Sequence, residues 1–150
     1  MDRCALAFSY HKQGYNCAQA VAAAFADRTG LSLEQTMAVS GGFGGGVGGS
    51  HAELCGAISG GVIVLSLLFP HLDGSNSDSK RRVYRLSREF RSRFEAVFGR
   101  TCCGELLKAR PGLNEQTNAA ARLGLTAHCD IMIVTAVELL EQLLEEEMKA

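Results

Sequence analysis

Six cysteines are the residues of this 150-residue chain whose chemistry stands out. Four of them lie near the predicted first turn of a helix: Cys17, Cys55, Cys103 and Cys129. The positive end of a helix dipole favours thiolate, and it can lower a cysteine pKa from about 8.5 to roughly 3.5 to 7.5. A thiolate is the nucleophile of disulfide exchange and a ligand of soft metals. The four cysteines are therefore candidates for redox chemistry or metal binding.

Two histidines lie close in sequence to these cysteines, His51 before Cys55 and His128 before Cys129. Each could act as a base, bind a metal or orient a ligand, although a surface or structural role is more common for a single histidine. Glu53 could orient His51 or cap the following helix.

The other two cysteines are Cys4, which stands alone, and Cys102, which precedes Cys103. The adjacent pair could form a strained disulfide or bind a soft metal. No Cys-x-x-Cys occurs, which excludes the usual thioredoxin-like dithiol and the common zinc ribbon. Any paired sulfurs must therefore meet through the fold.

Composition limits the class of protein. The 47% apolar content is enough for a core without disulfides, and the net charge of −1 gives no global reason to expect nucleic acid or an anionic membrane as partner. The first six residues show no secretory signal, so we expect a cytoplasmic protein. In that reducing compartment, redox or metal-binding roles are more common for clustered cysteines than permanent disulfides.

Apolar spacing predicts an all-α fold, a compact bundle-like single domain over residues 1–150. Residues 54–69 are nearly all apolar and predict a buried central helix that is too short for a membrane span, although residues 62–65 alone could form a strand. The glycine run 41–49 predicts a loop, and a Ser-x-x-Gln capping box at Ser32 predicts a helix start. The other predicted helices cover about 2–12, 17–25, 80–98, 103–108 and the segment from Cys129 onwards, with a break at Pro111-Gly112 and a solvated arginine face on 80–98.

Small residues in the central helix predict close packing around Cys55. Gly56 and Gly60 form a Gly-x-x-x-Gly pair one helical turn apart, a spacing that lets a neighbouring backbone approach closely. This approach would bring the Cys55 sulfur near cysteines of an adjoining helix. The glycine run does not indicate nucleotide binding, because neither a strand–loop–helix unit nor a Gly-Lys-Ser/Thr accompanies it.

The segment Cys55-Gly56-Ala57-Ile58-Ser59-Gly60 resembles the signature of the C_GCAxxG_C_C family of redox-active proteins. The segment 14–20 is similar to the family's first cysteine motif, and 40–46 is similar to its glycine loop. The resemblance implies that the four family cysteines are Cys17, Cys55, Cys103 and Cys129, with the third ambiguous by one residue because of Cys102. It also implies an association with transporter genes, which suggests a transporter-associated partner without identifying one.

Three functions remain open from the sequence. In the first, the four cysteines are catalytic and cycle between thiol and disulfide without a cofactor, with an unidentified redox or transporter-associated protein as partner. In this hypothesis Cys55 is the most reactive thiol, because it follows a flexible glycine-rich segment and lies near His51. In the second, the same four cysteines bind zinc or iron. In the third, they are core residues of a helical interaction protein. The substrate and the oligomeric state are not determined by the sequence.

Overall fold

Helices of 4 to 22 residues, joined by turns, make up the described part of the chain. The computed structural model describes residues 1–110 and 117–150, and in these residues it contains nine α-helices, one 3-10 helix and no strand longer than an isolated bridge. The predicted all-α, bundle-like class is confirmed, whereas the predicted break at Pro111-Gly112 lies outside the described residues. The α-helices in chain order are α1 (Arg3–Lys12), α2 (Cys17–Ala23), α3 (Ala26–Thr29), α4 (Leu33–Ser40), α5 (Gly56–Leu68), α6 (Ser77–Phe98), α7 (Cys103–Ala109), α8 (Asn118–Leu123) and α9 (His128–Lys149).

Side-chain caps determine where several helices begin. The predicted capping box is present at α4, where Ser32 accepts from the backbone N–H of Gln35 and the Gln35 side chain accepts from the N–H of Ser32. Asn76 caps α6 by accepting from Asp78 and Ser79, so this helix begins at Ser77 rather than at residue 80.

The central helix is α5, and its burial confirms the prediction. It packs against α2, α6 and α9, and both Ile58 and Leu65 are fully buried. A Cβ added at Gly60 would lie 2.5 Å from the carbonyl oxygen of Ala18 in α2. The Gly-x-x-x-Gly spacing therefore does allow α2 and α5 to approach closely, as predicted.

Several boundaries differ from the predicted ones for local reasons. α2 ends at Ala23, and the separate short helix α3 ends at Thr29, where it is followed by the C-cap Gly30, whose φ of 83° is left-handed. α5 begins two residues later than predicted, because Leu54 forms an antiparallel bridge with Cys102 instead of joining the helix. The six-residue helix α8 was not predicted, since it is too short to show a clear apolar period.

The glycine run forms the predicted loop except at Gly41–Phe43, which is the 3-10 helix, and the loop is tightly hydrogen-bonded. Residues 45–49 all have φ between 61° and 69°, including the β-branched Val47 at 67°. The N–H of Gly48 donates to the oxygen of Gly42 at 2.9 Å, and the N–H of His51 donates to the oxygen of Gly45 at 2.8 Å. Consecutive left-handed residues are strained for most side chains, which explains why four of these five positions are glycine.

The outer face of α6 carries exposed arginines, as predicted. Arg82 and Arg85 both contact Glu147 at 3.0 Å, and Arg93 contacts Glu146 of the same helix, α9, at 2.6 Å. These pairs link the outer faces of α6 and α9. None of the helices in the described part of the chain has both the length and the apolar character needed to cross a bilayer.

Candidate functional site

Four cysteine side chains line one cavity of about 140 Å³. Cys17 is the first residue of α2, Cys55 is the N-cap of α5, Cys103 is the first residue of α7 and Cys129 is the second residue of α9. The predicted position of each cysteine at a helix start is therefore confirmed. The fold brings together four sulfurs that lie far apart in the sequence. The other lining residues are Gly45, His51, Gly56, Ala57, Leu106, Leu107, Met132 and Ile133.

A capping box that the sequence analysis missed holds Cys17 in place. Asn16 accepts from the N–H of Gln19 at 2.9 Å, and the Gln19 side chain accepts from the N–H of Asn16 at 3.1 Å. The two side chains also donate outwards, Asn16 to the oxygen of Gly41 and Gln19 to the oxygen of Met37. Both amides thus fix the start of α2 to the end of α4, and the Asn-x-x-Gln pattern was the signal that could have revealed them.

Backbone pairing holds Cys55 beside Cys103. The N–H of Cys55 donates to the oxygen of Thr101 at 2.8 Å, and the N–H of Cys103 donates to the oxygen of Glu53 at 2.8 Å. The N–H of Gly104 donates to the oxygen of His51, also at 2.8 Å. The starts of α5 and α7 are therefore linked by two short paired segments, which satisfy backbone groups that the helices leave without partners.

Glycines surround the sulfurs because no larger residue fits there. A Cβ added at Gly56 would collide with the Sγ atom of Cys17, and one added at Gly46 would lie 2.6 Å from the Cβ of Cys103. The glycine loop and the first residue of α5 thus pack directly on two of the four cysteines. This packing accounts physically for glycine in both sequence motifs.

Burial governs the acidity of the cavity thiols. It raises the pKa of Cys55 to about 12 and that of Cys129 to about 11, and it also raises the pKa of Cys103. For all three, the next cause is the negative charge of a Cys17 thiolate. Cys17 is thus within electrostatic reach of each of the others, and it is the neighbour that they share.

The expectation that helix starts lower the cysteine pKa values is wrong for these three. The N–H groups of Ala57 and Ile58 do stabilise a Cys55 thiolate, but their effect is smaller than the cost of burial. Of the described residues that line the cavity, none is a lysine or arginine that could compensate this cost. Cys55 is only 5% exposed, so burial and acidity both argue against its expected role as the most reactive thiol.

The remaining candidate residues lie around the cavity or away from it. Cys102 is the N-cap of α7, and its Sγ lies 3.6 Å from the oxygen of Ala52, outside the cavity. Cys4 is buried in the core, where its Sγ lies 3.5 Å from the oxygen of Val134. His128 is not a lining residue, although its Nε2 lies 3.5 Å from the Cys129 sulfur, and burial lowers its pKa. Glu53 is exposed and contributes a backbone carbonyl.

The described residues do not provide a set of metal ligands. In residues 1–110 and 117–150, no three side chains of His, Cys, Asp or Glu are grouped so that they could hold a metal ion. The zinc or iron alternative therefore receives no support from the geometry. All six cysteines are free thiols in this structure.

Comparison with known proteins supports the redox class. No curated protein and no solved structure gives a significant match to the chain. A family description, "Putative redox-active protein (C_GCAxxG_C_C)", matches residues 15–143, a range that includes all four cysteines of the cavity. Since this match covers most of the chain, the protein belongs to the C_GCAxxG_C_C family.

Proposed function

We propose that the protein carries out thiol–disulfide exchange with the four cysteines that line its cavity. The observation that carries this proposal is the convergence of Cys17, Cys55, Cys103 and Cys129, from four different helices, on one small cavity. Core packing alone would not require four cysteines at one place. The redox description of the family supports the same class of chemistry.

Cys17 is the attacking thiol in this mechanism. It is partly exposed, in contrast to Cys55, and it is the electrostatic neighbour of the three other cavity cysteines. Its thiolate attacks one sulfur of an aliphatic disulfide, the S–S bond of that substrate breaks, and a mixed disulfide forms. A second cavity cysteine then attacks the Cys17 sulfur and releases the other half of the substrate as a thiol.

The balance of this reaction is a transfer of two electrons. Two cavity thiols and one substrate disulfide give one cavity disulfide and two substrate thiols, and the two thiol protons pass to the products. Because the cavity disulfide carries no charge, its burial avoids the desolvation cost that a thiolate would incur there. The apolar lining thus favours the neutral dithiol and the neutral disulfide over charged forms.

The partner and the compartment belong to this proposal as well. We expect the exchanging disulfide to come from a redox or transporter-associated protein or from a small molecule, and the whole of residues 1–150 to act as one unit. A reducing cytoplasm would keep the thiols available between turnovers. No cofactor enters the reaction.

Intact-mass spectrometry of the protein treated with oxidised glutathione tests the proposal. We expect the loss of two hydrogens for each disulfide formed, reversed by dithiothreitol, and peptide mapping should place Cys17 in the disulfide. Cys102→Ser is the matched control, because its sulfur lies at the start of the same α7 but outside the cavity. Cys17→Ser should abolish the mass loss while Cys102→Ser retains it. The opposite pattern, or no disulfide among the cavity cysteines, would reject the proposed reaction.

A further inference from the structure

Disulfide formation in the cavity requires a proton acceptor. Each cavity disulfide releases two protons, and burial raises the pKa values of three of the four thiols that supply them. Of the described residues that line the cavity, His51 is the one with an ionisable side chain other than cysteine. Histidine is also the side chain that most readily accepts and returns a proton near neutral pH.

The backbone of His51 is held in an unusual conformation. Its φ is 60°, a left-handed value that is uncommon outside glycine, although histidine adopts it more readily than most residues. Its N–H donates to Gly45, and its carbonyl accepts from Gly104, both at 2.8 Å. A Cβ added at Gly104 would lie 2.6 Å from that carbonyl oxygen, so a side chain at position 104 would displace His51.

Strain of this kind persists when the surroundings require it, and it is concentrated at functional sites. His51 is exposed to solvent and also lines the cavity. The residue therefore belongs both to the wall that encloses the four thiols and to the surface of the protein.

We propose that His51 is the catalytic base that transfers protons from the cavity thiols to the substrate thiolates that leave; this inference rests on the proposed thiol–disulfide exchange. The imidazole accepts the Sγ proton of Cys17 as that sulfur attacks the substrate disulfide. It then returns this proton to the first substrate thiolate as it leaves. The same two transfers accompany the attack of the second cavity cysteine on the mixed disulfide.

Several titratable groups lie near His51 in the sequence or line the same cavity, and they enter the pH dependence of the reaction. Glu53 is the charged residue of its own segment, and it is exposed. The others are the thiols that line the same cavity from four separate elements, Cys17 of α2, Cys55 at the start of α5, Cys103 of α7 and Cys129 of α9. A protonated imidazole would favour a thiolate in any of them, since an opposite charge nearby favours the charged form.

The test is the rate at which iodoacetamide, a neutral reagent, alkylates Cys17 in the reduced protein. The rate is measured by peptide mass spectrometry between pH 5.5 and 9.5 for the wild type and for His51→Asn. Asparagine adopts the left-handed conformation readily, so this variant removes the imidazole with little change to the backbone. Val47→Asn is the matched control, because Val47 has φ 67° in the same loop and does not line the cavity.

We expect His51→Asn to lower the alkylation rate at neutral pH by on the order of 10²-fold and to remove the part of the pH profile in the imidazole range. Added imidazole should restore part of the rate in this variant only, whereas Val47→Asn should behave as the wild type. Circular dichroism and urea unfolding establish that each variant is folded. If His51→Asn is unfolded, the wild-type profile decides: a rise confined to pH above 8 would overturn the proposal.

The two proposals fail in different ways. Identical alkylation profiles for the wild type and folded His51→Asn would overturn the role of His51 while leaving disulfide formation intact. If the wild type forms no cavity disulfide when it is treated with oxidised glutathione, the exchange reaction is rejected, whatever the alkylation profile shows.

Discussion

Gly60→Ala should destabilise the protein, because it places a methyl group against backbone rather than against a movable side chain. The added Cβ would lie 2.5 Å from the oxygen of Ala18, 3.1 Å from its Cα and 3.1 Å from the Cβ of Val21. An ordinary carbon–oxygen contact is about 3.3 to 3.6 Å, so α2 and α5 would have to separate by about 0.8 Å or more. This separation would disturb the helix that begins with Cys17.

The magnitude follows from two opposing contributions. Overpacking in a core costs about 1 to 3 kcal/mol, and replacing an interior helical glycine by alanine returns up to about 1 kcal/mol. Because the obstruction is backbone, we expect the cost near the upper limit and a net loss of about 1 to 2 kcal/mol. For a chain of this length, that loss lowers the Tm by roughly 2 to 8 °C.

Urea and thermal unfolding of reduced protein measure the effect. Gly42→Ala is the matched control, because Gly42 has no atom within 4 Å of an added Cβ and has a φ that other residues adopt. Its free energy of unfolding should be unchanged or slightly higher. If Gly60→Ala proves as stable as Gly42→Ala, then the close approach of α2 and α5 does not require glycine, and our explanation of the motif is wrong.

Three further predictions concern charge and strain. An unfolded Cys55 loses its proton above about pH 8.5, whereas burial raises the pKa of the folded thiol to about 12. Between these two pH values the free energy of unfolding should therefore fall by up to about 1.4 kcal/mol per pH unit, and urea unfolding at each pH should show a smaller fall for Cys55→Ala. Asp130→Asn should lose roughly 1 to 3 kcal/mol by urea unfolding, because the buried carboxylate contacts His11 at 2.6 Å, whereas the exposed Asp78→Asn should change little. Val47→Gly should raise the Tm and add roughly 0.5 to 1 kcal/mol to the free energy of unfolding, because it relieves a left-handed φ and the valine is already 44% exposed, so little apolar burial is lost. An unchanged or lower Tm would contradict this reasoning.

The helices could be predicted because local signals determine them. The Ser32 capping box and the apolar run of α5 both act over a few residues, and both are present in the structure. The start of α5 could not be predicted from such signals, because the pairing of Leu54 with Cys102 crosses 48 positions of sequence and removes two residues from the helix. The same pairing places Cys55 beside Cys103.

The cavity itself could not be predicted from the sequence. Each cysteine was correctly placed at a helix start, but the convergence of four starts depends on how the helices pack, which periodicity does not reveal. The acidity of the thiols was predicted with the wrong sign for the same reason. Position at a helix start is visible in the sequence, whereas burial is a property of the whole fold, and burial is the larger cause at Cys55.

The separation of the four cysteines in sequence has a consequence for how the site works. In a Cys-x-x-Cys motif one helical turn sets the distance between the sulfurs, whereas here the distance between Cys17 and Cys55 depends on the packing of α2 against α5. The Cys17 sulfur fits against the start of α5 only because residue 56 is glycine, which has no Cβ to collide with it. Small changes in the packing of α2 against α5 therefore change the distance between these two cysteines directly. Because a disulfide forms only within a narrow range of distances, oxidation of this cavity and the packing of its helices are expected to be coupled.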